Sequence, residues 1–182
     1  MRWFSAGTAV LALLLVLCGP ANAGGCAAEP FVKRAGAAFM NAAKAKTPSA
    51  FSGVAGRYAD LRAIALFALG PHRGSLVKAR EAEYVALTHV FIGKFMARHA
   101  GKFSGSELEI TGCAVNGKLT VVHTRLASGK PVIFRLVRSG GGYLVQDINV
   151  SSVWLAQQLR ANFVGVIRRG GDIAALFAYL RG

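Results

Sequence analysis

The hydrophobic pattern of this chain changes period twice, and that double change limits the folds open to it. From Phe31 to about His99 the apolar residues recur every three or four positions, as on helices. From Leu108 to Val150 they alternate, as on strands, and after Ser151-Ser152 the helical spacing returns. Helices, then strands joined by short turns, then helices predict an α+β domain: a four-stranded antiparallel meander flanked by N- and C-terminal helices.

The punctuation is specific. Phe31, Ala35, Ala38, Phe39 and Ala42 share the first helical face. Thr47-Pro48-Ser49 breaks it and can open a second helix bearing Phe51, Ala55 and Tyr58. Asp60 can cap a third, which ends at Gly70-Pro71. Ser75 is the expected cap of the longest helix, running to about His99 with Gly101 as its stop. Its stripe is Tyr84, Leu87, Thr88, Phe91, Ile92 and Phe95. In the strand region Leu108 and Ile110 alternate with Glu107 and Glu109, and Asn116-Gly117 is a hairpin signal. Val132, Phe134 and Leu136 share one strand face with Arg135 opposed, and Ser139 to Gly142 turns the chain into a fourth strand. Leu155, Leu159, Phe163, Val166 and Ile167 stripe the next helix, and Asp172 can cap the last.

The N-terminus reads as an export leader. Arg2 is followed by the apolar run from Ala9 to Leu17, then Gly19-Pro20 and Ala21-Asn22-Ala23. Residues 1–23 are expected to be a cleaved signal peptide and residues 24–182 a single domain. The run is shorter than the roughly 20 residues that span a bilayer. Removing the leader takes one arginine and no acid from a formal charge of +14. In the cytosol that charge would suggest nucleic acid; in an exported chain it points to anionic membranes or acidic proteins instead. Cys26 and Cys113 remain after cleavage, and in an oxidising compartment they could pair; sequence leaves that open.

Motifs for chemistry fall short. Ser75-Leu-Val-Lys78 lacks the other elements of penicillin-recognising enzymes. Gly112 to Lys118 resembles a phosphate loop, but Leu119 stands where a Ser or Thr should hold magnesium, and a strand follows instead of a helix. His72, His89, His99 and His123 show no metal-ligand spacing. Asp147 is unusual in mid-strand, where it could pair with a base or line a wet cavity. No general acid and base come together, so the chain reads as a non-enzyme needing no cofactor and no metal.

Three stretches carry a family resemblance. They are Arg57 to Gly70, Glu83-Tyr84 through Phe91 and Phe95, and Gly142 to Leu155 followed by Arg160, Phe163, Gly171-Asp172 and Leu176. In these the chain resembles the periplasmic phospholipid-shuttle (MlaC) family of the Mla system, also called toluene-tolerance auxiliary proteins of ABC transport, from about Phe31 onward. It departs at Tyr143, where the family commonly has Trp, and at Ser151-Ser152, near which a Gly is common. The hopanoid-associated branch has a related pattern, so the lipid's identity stays open.

The resemblance implies a curved sheet with helices around a deep apolar pocket that takes acyl chains. It also implies exchange of lipid with an inner-membrane ABC complex bearing an MCE-domain subunit and with an outer-membrane lipoprotein complex. The expected cavity residues are Phe91, Phe95, Val132, Phe134, Leu136, Val145, Trp154 and Leu159. The competing reading is an exported basic scaffold with a closed core, docking on anionic membranes or acidic partners.

Overall fold

The computed structural model describes residues 26–102 and 108–182; the expected signal peptide and Glu107 lie outside the described residues. The first helix, α1 (Glu29–Ala45), has Pro30 in its first turn, where a missing N–H does no harm. Helix α2 (Pro48–Tyr58) is capped by Thr47, whose Oγ1 accepts the Ala50 N–H at 3.3 Å. Helix α3 (Leu61–Ala68) is capped by Asp60 through the Ala63 N–H at 3.0 Å.

The longest helix, α4 (Glu81–Arg98), starts later than expected. Ser75 does not cap it. Two short 3-10 turns, Gly70–Ser75 and Lys78–Arg80, occupy the intervening chain, and Glu81 and Glu83 complement the helix N-terminus. Those acids also hold the surroundings: Glu81 pairs with Arg62 at 2.6 Å, and Glu83 pairs with Arg80 and Arg181.

Among the described residues the sheet has five strands, not four. They are β1 (Leu108–Asn116), β2 (Leu119–Leu126), β3 (Pro131–Ser139), β4 (Gly142–Val150) and β5 (Val153–Trp154), in sequential antiparallel order. The fifth is only two residues long, pairing Asn149 with Trp154 and Val150 with Val153 across Ser151-Ser152. No alternation can register over two residues, so the pattern runs straight into helix α5 (Leu155–Gly170). Helix α6 (Ile173–Arg181) follows, capped by Asp172.

Strand alternation gives the sheet one buried face, including Val122, Leu126, Val132, Phe134, Leu136 and Val145. Ala28, just before α1, and Val32 within it cover part of that face. Cys26 and Cys113 form a disulfide, with Cα atoms 5.7 Å apart, which fastens the start of α1 to β1. Helices α2 and α4 pack closely because Gly93 has no side chain: a Cβ there would lie 2.6 Å from the Pro48 carbonyl oxygen.

Candidate functional site: an apolar cavity between sheet and helices

Among the described residues the buried side chains form three clusters, where a domain ordinarily has one contiguous core. One joins α3, α4, α5 and α6 around Tyr84, Phe163 and Phe177. A second joins α1 to the sheet, and a third joins α1, α2 and α4 around Phe51 and Met96. Between them lies a cavity of about 200 Å³, lined by members of all three: Phe91, Val132 with Phe134, and Phe51 with Met96. Voids in close-packed interiors rarely exceed a water molecule, so this space is not a packing defect.

The sheet wall follows from register. Phe134 stands between Val122 and Ile148 on neighbouring strands, and Val132 is paired with Val150. A bulge at Gln146 shifts the β3–β4 register, so that Arg135 meets Asp147 while Leu136 meets Val145. The link between α2 and α3 docks there: the Asp60 N–H donates to the Val145 carbonyl at 2.9 Å. That bond sets α2 and α3 against the sheet, and Val54, Ala55, Tyr58, Leu61 and Ile64 complete the wall.

Helix α5 divides its stripe between two tasks. Leu155 and Leu159 line the cavity, whereas Phe163, Val166 and Ile167 belong to the helical core. Gln158 and Asn162 lie on the cavity side too, and both are exposed, which places the opening along this helix. An apolar interior thus ends in two uncharged amides at its mouth.

Asp147 is the one charged residue among the described residues that line the cavity, and it is paired with Arg135 in the register. It is buried, and burial raises its carboxyl above the usual aspartate range against the pull of two backbone N–H groups and Arg135. Sequence left its purpose open. In the fold its Oδ1 accepts from Ile148 and from Ala156, in the first turn of α5.

Of the eight expected cavity residues, Phe91, Phe95, Val132, Phe134, Val145 and Leu159 lie on the wall. Leu136 and Trp154 do not. Leu136 is fully buried between Thr120 and Val145 on the neighbouring strands, in the cluster that joins Val32 of α1 to the sheet. Trp154 faces the other side of the sheet, with the Arg135 guanidinium stacked 3.7 Å from its ring centre. Missed by the sequence reading were Gly36, Phe39, Leu108 and Leu126; their periodicity is the same as that of sealed-core residues.

Residues 36–182 match the family model described as MlaC protein. The chain belongs to the MlaC family. The match spans every wall residue from Gly36 onward and all five strands. Comparison with curated proteins returns no match. Among solved structures, the chain is similar to the phospholipid-binding protein from Ralstonia solanacearum, determined in complex with a phospholipid. The TM-score is 0.70 at 18% identity, covering 85% of this chain and 94% of that one. That likeness establishes the α+β fold.

Proposed function

We propose that this chain is a periplasmic phospholipid carrier. Acyl chains occupy the cavity, the head group stays at the mouth beside Gln158 and Asn162, and the loaded protein moves between an inner-membrane ABC complex with an MCE-domain subunit and an outer-membrane lipoprotein complex. The open apolar cavity between sheet and helices carries the reading. Membership of the MlaC family and the phospholipid held by the Ralstonia relative support it. The leader-like N-terminus and the disulfide suit an oxidising compartment outside the cytoplasm.

The energetics require no covalent chemistry. Each methylene is worth about 0.8 kcal/mol, so a diacyl lipid of some 30 methylenes faces on the order of 20 kcal/mol on entering water. A protein wall that replaces the bilayer removes most of that barrier. A closed scaffold would have no use for the space between the three cores.

The test is mass spectrometry of lipid extracted from protein purified without detergent, followed by transfer of labelled phospholipid from donor to acceptor vesicles. Phospholipid in stoichiometric amount and protein-dependent transfer are expected. Protein that is lipid-free and takes up none from vesicles would contradict the reading.

A further inference from the structure

The outer face of the sheet takes no part in the cavity. Val121, Ile133, Val137 and Leu144 point to it, opposite the buried row that holds Val122, Phe134, Leu136 and Val145. Val137 is paired with Leu144, so aliphatic side chains touch across strands. All four are half-buried, and none belongs to the three cores. Among them stands Arg135, stacked on Trp154. A guanidinium donates in its own plane, so stacking one face on a ring orients the N–H fork without using it. Among the described residues no hydrogen bond or ion pair engages that fork; Asp147, its register neighbour, gives Oδ1 to backbone N–H groups.

The surroundings are basic. Between Leu108 and Trp154 the acids are Glu109 and Asp147, against Lys118, Arg125, Lys130, Arg135 and Arg138. Elsewhere Glu29, Glu81 and Glu83 are paired with bases, and Asp60 and Asp172 cap helices. The chain therefore presents a positive field with little acid to offset it.

We propose that this face docks an acidic partner protein, one presenting carboxylates among aliphatic side chains, with a carboxylate received by the Arg135 fork. A second copy would bring the same positive charge and be repelled. A bilayer fits less well, because binding there inserts a broad exposed apolar face, whereas these four side chains are half-buried. Arg and Trp are also the residue types that dominate binding at protein interfaces. The inference rests on the surface and does not depend on what fills the cavity.

The test uses the disulfide-bonded protein, isotope-labelled, with a synthetic peptide of alternating leucine and glutamate as probe. Titration should shift the amides of Ile133, Arg135 and Val137 and the Trp154 indole. Arg135→Gln should weaken binding by about tenfold or more, the loss expected for a charge-assisted fork at an interface centre, and leave extracted lipid unchanged. Val137→Ser should weaken it similarly, which keeps the test valid should Arg135→Gln disturb folding. Shifts confined to the helices, or unchanged affinity in both variants, would overturn the proposal. So would anionic phosphatidylglycerol vesicles that shift these amides while the peptide does not, an outcome that assigns the face to a membrane.

Discussion

Asp147 Oδ1 accepts the backbone N–H of Ala156 at 2.9 Å and that of Ile148 at 2.8 Å, so a strand residue caps a helix nine positions further along. Trp154, the residue at the cap position itself, offers no side-chain acceptor. The bond ties the start of α5, and with it Leu155, Gln158 and Leu159 on the cavity wall, to the bulged strand β4. Asp147→Ala leaves two N–H donors without their acceptor, at about 1–3 kcal/mol. Asp147→Asn keeps an acceptor oxygen and should fold. Urea unfolding of both variants checks the order.

The same residue gives stability a pH dependence. Burial raises its pKa in the folded chain, so the folded chain holds this proton more tightly than the unfolded one. Its contribution is therefore complete below the ordinary aspartate range and is lost as pH rises through the elevated folded value. Thermal melts of the native protein and Asp147→Asn, taken upward from that range, should diverge in favour of Asn as pH increases. A difference that stays constant with pH would contradict the assignment.

The disulfide closes a span of 87 residues. Loop-closure entropy for spans of that order corresponds to about 2–5 kcal/mol. Cys26→Ser, Cys113→Ser and the double variant should all lose the same stability in denaturant melts, and reductant should lower the native protein to their level. A double variant much weaker than either single one would mean that the cysteines act separately.

Leu136 and Leu159 separate core from cavity with one kind of substitution. Leu136 is fully buried and does not line the cavity, so Leu136→Ala should cost about 2–5 kcal/mol and leave bound lipid in place. Leu159 is half-buried on the wall, so Leu159→Ala should cost less stability and reduce lipid retention more. Paired melts and lipid extractions on both variants decide it.

Much of the framework was legible in sequence because its signals are local. Thr47, Asp60 and Asp172 cap the helices they precede, and Asn116-Gly117 turns β1 into β2 with Gly117 at a φ of 58°. The misreadings lie where local signals conflict or are too short. Ser75 looks like a cap but ends a 3-10 turn, and β5 is too brief to show a period. The cavity was only partly legible, for a different reason. Phe134 and Leu136 sit two residues apart on one strand face, and only the helix above each decides between wall and sealed core. The Cys26–Cys113 pairing and the use of Asp147 are likewise facts of spatial distance.

Phe134 offers the most direct measurement. It is buried at the sheet wall, facing the space assigned to the acyl chains. Phe134→Asp puts a charge where the tails must lie, and a cavity open at one side gives that carboxylate a route to water. A circular-dichroism melt and a lipid extraction on one sample measure both consequences. The carrier account predicts a folded variant that co-purifies without lipid, beside native protein that carries it. A variant that unfolds would indicate a sealed core, at several kcal/mol for the buried charge, and a folded variant that still carries lipid would place the acyl chains elsewhere.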